Sequence, residues 1–436
     1  MTIETIPGTT IPYYLVTFDA KGRERDDDSD GRMSERVLQA LRDEQPSDVF
    51  AFIHGWKGDI PAARKQYGAW MGAMMALNAD LQRARQQRPG FKPLLVGLHW
   101  PSLPFGEESF EPGTSFAPGA ADELEAEIER CAEQIADTPA ARAALRTIFE
   151  AAQMQFAPAT LPDDVREAYA ALDRESGMGA EGVAGDPGGD RERFDAEAAY
   201  ADALDEAASF GGGGVRNALL SPLVQLSFWK MKDRAREFGE SGGFAFLTAL
   251  MRASEGRDVR VHLMGHSFGC IAASASVAGP AGSRLPRPVH SLVLVQGALS
   301  LWSYCDAIPS APAKPGYFRK LVAEHAVAGP IVTTQSSRDM AVGSLYPAAA
   351  GVARQVAFAP GELPKYGGVG TFGLRGSGLD VADLTVQGKD AAYGFQPRRI
   401  YNVECSTVIR EGSPPSGAHS DIARPEVAHL VWAAAL

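Results

Sequence analysis

The strongest constraint in this sequence is a series of short, largely apolar runs, most of them with no polar residues alternating through them. "YYLVTF" (residues 13–18), "VFAFI" (49–53), "PLLVGL", "VRVHLM", "SLVLV", "PIVTT" and "RIYNV" are each about one strand long. A strand with one wet face alternates, so unbroken runs require cover on both faces. Between them lie segments of helical periodicity, at about 34–42 and 61–83. A further stripe, Leu220, Val224, Phe228, Met231, Ala235 and Phe238, recurs at spacings of three and four. Strands alternating with helices predict an α/β fold, with a mostly parallel central sheet and helices on both faces.

The pattern breaks once. From Pro101 to Gly214 the chain is acidic, alanine-rich and interrupted by glycine and proline. "ADELEAEIERCAEQIAD" predicts an amphipathic helix, "GMGAEGVAGDPGGDRER" a mobile loop and "FGGGG" a linker. The expected division is therefore a core built from residues 1–100 and 215–436, with 101–214 inserted as a helical, partly flexible cap. The closing segment "RPEVAHLVWAAAL" predicts a last helix.

Charge and cysteine usage narrow the function classes. A net charge of −12 opposes binding to a phosphate backbone, so no nucleic-acid partner is expected. No apolar run reaches 18 residues, which predicts no spanning helix and no integral membrane association. The opening "MTIETIPGTTIP" lacks a basic start and an apolar stretch. Cys131, Cys270, Cys305 and Cys405 are far apart and read as reduced thiols. These features predict a cytoplasmic protein, with leaderless export left open. No HExxH motif or Cys/His cluster is present, and "GGVGTFG" neither follows a clear strand nor opens a helix. No metal or organic cofactor is expected.

Two stretches match G-x-S-x-G. Around Ser241, "GESGG" follows the charged run "MKDRAREF", which predicts a helix end capped by glycine. Around Ser267, "GHSFG" follows the strand "VRVHLM" and precedes "CIAASASVA", small residues suited to a helix lying close to a sheet. A sharp strand-to-helix turn would raise the Ser267 hydroxyl above the sheet edge, at a helix N-terminus that favours developing negative charge. Ser267 is the candidate nucleophile.

Residues 12–100 and 258–436 resemble the α/β-hydrolase superfamily, of the serine esterase and lipase type. "FIHGW", "LMGHSFG", "SSRD" and "GAHSD" carry the likeness, in that order. The inserted region carries none of it. "QGALS" and "GPIVTTQSSRDMAVGSLYP" are also similar to stretches of bacterial members of no assigned substrate. The resemblance implies an α/β-hydrolase fold with a cap and the chain order serine, acid, histidine.

Of the eight histidines, only His419 and His429 follow a plausible acid. His429 sits among apolar residues of the last helix and reads as a packing residue. His419, in "SPPSGAHSD", lies on a loop able to carry an imidazole over the serine; Ser420 and Asp421 after it are expected to cap the last helix. Asp339, just past "IVTTQ", is the expected acid. Asp306, one strand earlier, is the rival, and Asp380, Asp383 and Asp390 rank below both. The oxyanion donors implied are the backbone N–H groups of Phe268 and of Trp56 in "HGW". Trp56, Trp302 and Tyr346, with Trp100 and Phe105, lie near strand ends or the cap entrance, where they could line an apolar acyl pocket or simply pack. The expected activity is cleavage of a small acyl ester with a lipophilic portion, through a Ser267–His419–Asp339 relay. A non-catalytic binding module and an exported phospholipase-type effector are the alternatives.

Overall fold

Each of the apolar runs forms a strand of one sheet in the computed structural model, which describes residues 3–26, 31–56, 59–102, 120–153, 158–178, 190–210, 215–345, 363–413 and 416–436. In chain order the strands are β1 (Glu4–Thr5), β2 (Pro12–Thr17), β3 (Asp48–Ile53), β4 (Pro93–His99), β5 (Arg260–His266), β6 (Ser291–Val295), β7 (Ile331–Gln335), β8 (Val381–Thr385) and β9 (Ile400–Glu404). They form a nine-stranded sheet in the order β1-β2-β4-β3-β5-β6-β7-β9-β8. All neighbours run parallel except β1 against β2.

The unbroken apolar runs are explained by what covers the sheet. All six residues of β3 and all five of β6 are buried. Val49, Ala51 and Ile53 face one core, while Phe50 and Phe52 face the other. The first core is closed by α1 (Met33–Asp43), the second by α2 (Ile60–Met75) and α3 (Asn78–Gln87). The helix expected over 61–83 is thus two helices, separated by Ala76 and by Leu77, whose ψ of 78° leaves the helical region.

The inserted region carries its own hydrophobic core. It holds α4 (Ala120–Gln134), α5 (Pro139–Ala151), α6 (Asp163–Glu175) and α7 (Ala196–Phe210). Parts of the mobile loop and linker expected there, 179–189 and 211–214, lie outside the described residues. The next helix, α8 (Val215–Phe238), belongs to both cores. Leu219, Leu220, Leu223, Leu226 and Trp229 pack into the cap cluster, and Met231, Ala235 and Phe238 into the sheet's cluster. At 24 residues it is about 36 Å long, which outreaches either core alone. The single stripe read from the sequence is therefore divided, with Val224 exposed and Phe228 half-buried at the junction.

The glycine-capped helix end expected at "GESGG" is not there. Gly239–Gly243 is a π-helical turn joining α8 directly to α9 (Phe244–Ala253). A Cβ on Gly239 would sit 2.5 Å from the Ala272 carbonyl and from Cβ of Ala275. These glycines admit α10 (Gly269–Ala278), every residue of which is buried. Beyond β6 come α11 (Arg319–Ala323), the short α12 (Val369–Phe372) and α13 (Pro425–Ala435). The edge strand β8 escaped the sequence reading because it is half-covered and lacks an apolar run.

Candidate functional site

The turn from β5 into α10 holds Ser267 at φ 55°, in the left-handed region. For a non-glycine residue such backbone stores about 1–3 kcal/mol and persists only where surroundings over-determine it. Here they do. The Ser267 N–H donates to the Val295 carbonyl (3.2 Å), and the Ser267 carbonyl accepts from the N–H groups of Cys270 (3.1 Å) and Ala298 (3.2 Å). Phe268 is the N-cap residue of α10, so its amide lies ahead of the helical ladder.

Close approach explains the glycines around the serine. A Cβ on Gly265 would stand 2.8 Å from Cα of Cys270, and one on Gly269 would overlap the carbonyls of Ile53 and His54. A Cβ on Gly55 would stand 2.6 Å from Ser267 Cβ and 3.2 Å from its Oγ. The "HGW" loop after β3 and the serine turn after β5 are therefore in contact.

That loop is tied down by neutral groups. His54 Nδ1–H donates to the Gly55 carbonyl (2.8 Å), leaving Nε2 to accept from His99 Nδ1–H (2.9 Å). Burial pushes the His54 imidazole down to about 4, and burial beside His54 pushes His99 down to about 3. Ser102 Oγ also donates to the Gly55 carbonyl (2.9 Å), and Trp100 Nε1 donates to the His54 carbonyl (3.0 Å).

His419 and Asp339 are brought together. His419 Nδ1 donates to Asp339 Oδ2 at 2.8 Å, with the carboxylate fully buried and the imidazole 11% exposed. The loops carrying them pair backbone to backbone: Asp339 bridges Gly417, and the Ala418 N–H donates to the Arg338 carbonyl (2.9 Å). Gly417 has φ 59°, and a Cβ there would lie 2.6 Å from the Arg338 carbonyl. The pair also meets the serine turn. His266 Nε2–H donates to the His419 carbonyl (2.8 Å), its ring centroid lies 4.7 Å from that of His419, and its Nδ1 accepts from Gln66 Nε2 (3.2 Å). Burial, reinforced by His419, holds the His266 imidazole well below its ordinary range.

The other candidates fall elsewhere. Asp306 is ion-paired with Arg319, and among the described residues no contact joins it to His419. Trp302 packs with Leu301, Cys305, Ile308 and Tyr366, its indole N–H donating to the carbonyls of Pro364 (3.2 Å) and Lys365 (3.1 Å). It is buried, as a packing position would be. Trp100 is likewise buried. Tyr346 and Phe105 lie outside the described residues. Trp56 is half-buried, 5.6 Å ring to ring from Phe228 and 5.7 Å from Phe268, and Phe228 is 5.0 Å from Phe268. His429 is buried, with Nδ1 on Asp80 (2.9 Å) and Nε2 on the Ala391 carbonyl (2.7 Å). The cap expected from Ser420 or Asp421 is not formed: α13 begins after Arg424, and Asp421 pairs with that arginine instead.

One residue of the cluster went unread in the sequence. Gln296, just past β6, is fully buried and donates from Nε2 to Asp339 Oδ2 (2.8 Å). The Val342 N–H donates to Oδ1 of the same carboxylate (3.0 Å).

Among the described residues no helix is long and apolar enough to cross a membrane, and no group of His, Cys, Asp or Glu side chains is placed to hold a metal ion. No family model, curated protein or solved structure matches the chain.

Proposed function

We propose that this chain is a serine hydrolase of α/β-hydrolase type that cleaves acyl esters. One observation carries the reading: the Asp339–His419 bond of 2.8 Å, on the loops after β7 and β9, is fastened through His266 to the turn that holds Ser267 in strained backbone. A hydroxyl is a poor nucleophile unless a base takes its proton and an acid orients that base. Asp339 fixes the His419 tautomer with Nδ1 protonated, which leaves Nε2 as the base.

In the proposed reaction His419 removes the Ser267 proton as Oγ attacks the ester carbonyl. The oxyanion is held by the N–H groups of Phe268 and Trp56, each worth about 3–4 kcal/mol in comparable sites. The protonated imidazole returns its proton to the departing alcohol, and the acyl group stays on Ser267. Water, activated by the same imidazole, then attacks the acyl-enzyme, releasing the acid and restoring the hydroxyl. The aromatic group of Trp56, Phe268 and the cap helix residue Phe228 beside this turn supports an ester with a lipophilic portion.

A fluorophosphonate probe and p-nitrophenyl esters of short to long acyl chains test the reading. Wild-type protein is expected to be labelled and to release p-nitrophenol, and Ser267→Ala to do neither. Labelling that survives Ser267→Ala places the reactive nucleophile at another residue, and wild-type protein inert to both reagents points instead to a binding module.

A further inference from the structure

The geometry points to Gln296 as the residue that sets the position of the Asp339 carboxylate, and through it the His419 imidazole, in the reaction proposed above, on which this assignment rests. Three observations converge on it. Gln296 has φ 47°, a left-handed conformation uncommon for a residue other than glycine. Its side chain is fully buried. Its amide is satisfied at both ends by partners that leave one orientation open.

The orientation follows from counting protons. The Gln296 backbone N–H donates to Thr334 Oγ1 (3.0 Å), and the Thr334 hydroxyl in turn donates to Gln296 Oε1 (2.9 Å). With Oε1 facing the hydroxyl, Nε2 faces the other way, onto Asp339 Oδ2 (2.8 Å) and the Gly370 carbonyl (3.4 Å). A carboxylate only accepts, so the contact needs a donor there, and the two ends agree. Asp339 Oδ2 then receives two N–H groups, from Gln296 and from His419, while Oδ1 receives the Val342 amide. Val342 and His419 approach from the loops that carry the pair itself. Gln296 reaches it from the neighbouring strand end. It is the contact that references the carboxylate to the body of the sheet, and the strained backbone is what aims a side chain leaving β6 back towards the end of β7.

Gln296 is a positioning residue. Removing it should therefore change the Asp339–His419 hydrogen bond and the rate without changing how substrate binds. Gln296→Met keeps length and removes the donor. Thr334→Val keeps shape and removes the hydroxyl that orients the amide, and it serves as the second variant if the first does not fold. In full-length protein each is expected to slow fluorophosphonate labelling about ten- to a hundredfold, the cost of slight misplacement. KM for the p-nitrophenyl ester should stay within about twofold, since ground-state contacts are untouched. The low-field imidazole N–H resonance of the Asp339–His419 bond should move. The double variant should be little slower than Gln296→Met, because both act through one contact. Labelling at the wild-type rate with an unmoved resonance in both variants overturns the assignment while leaving the hydrolase reading intact. Wild-type protein that takes no probe and turns over no ester removes the hydrolase reading; the resonance, which needs no substrate, then still tests whether Gln296 positions the Asp339–His419 pair, and a resonance unmoved in both variants overturns that too.

Discussion

The molecule holds two groupings of the same three side chains, at opposite ends of its parallel strands. Ser267, His419 and Asp339 lie past the carboxyl ends of β5, β9 and β7. Ser291, His262 and Asp48 lie near the amino ends of β6, β5 and β3. In the second grouping His262 Nε2 donates to Asp48 Oδ1 (3.1 Å), and Ser291 Oγ donates to His262 Nδ1 (2.9 Å). Burial lowers the His262 imidazole, so it is neutral and the protons are ordered as in a hydrolytic relay. Nothing else matches. Ser291 is 1% exposed and sits in extended strand opposite His262, whose ring stacks on Phe50 at 4.6 Å. No strained turn lifts its hydroxyl and no helix begins beside it. What separates a candidate nucleophile from a core hydrogen bond is therefore the backbone under the serine, rather than the identity of the three groups.

The sharpest way to break this contrast is to remove both acids in turn. Asp339→Asn is expected to slow probe labelling by about 10⁴-fold, since the amide favours the wrong tautomer, with a melting temperature close to wild type. Asp48→Asn should do the reverse. Asp48 also holds Arg88 (2.8 Å), which keeps the exposed Asp258 (3.1 Å) as a second carboxylate, so losing the buried charged partner costs about 1.5–3 kcal/mol, while labelling per folded molecule stays unchanged. Equal labelling rates in the two variants would erase the distinction.

Acid tests both ends at once. Unfolded histidine takes its proton near 6.5, whereas burial holds His54 to about 4 beside the serine turn, and holds His290, beside His262, also to about 4. Below 6.5 the unfolded chain therefore binds more protons than the folded one. Stability from these groups is complete above about pH 6.5 and falls as pH drops towards 4, by on the order of 3 kcal/mol for His54 alone. Urea midpoints measured at pH 7, 5.5 and 4.5 should decline in that order, and His290→Gln should flatten the slope by the share of the lower end. A midpoint that does not move between pH 7 and 4.5 would show these histidines are not held neutral.

The two ends were unequally legible in the sequence, for a physical reason. Ser267 could be read because Gly265 and Gly269 must be glycine for α10 and β3 to close on the turn, and glycine is visible in a sequence. His419 could be read from its loop, although the need for Gly417 emerges only from its φ and the nearby Arg338 carbonyl. Gln296 could not, because its left-handed backbone is carried by a residue type that does not advertise it. Asp48, His262 and Ser291 lie within or at the start of ordinary buried strands with no punctuation, so their convergence depends on register alone. The same holds for α8: helical spacing announced a buried stripe, but which core each turn faces is set by where the helix crosses from cap to sheet.

The smallest expected effect tests the lower grouping by itself. Ser291→Ala removes a hydroxyl that donates to His262 Nδ1 and leaves that nitrogen as a buried acceptor without its partner. The loss should be about 1–3 kcal/mol, the penalty for one unsatisfied buried polar group, seen as a lower urea midpoint with an unchanged m-value. The ring is not freed by the change, because Asp48 still holds Nε2 and Phe50 still stacks on its face. Labelling should therefore remain at the wild-type rate, in contrast to Ser267→Ala, where labelling should vanish. A probe adduct lost on Ser291→Ala in folded protein would move the candidate nucleophile to the other end of the sheet, and with it the meaning of both groupings.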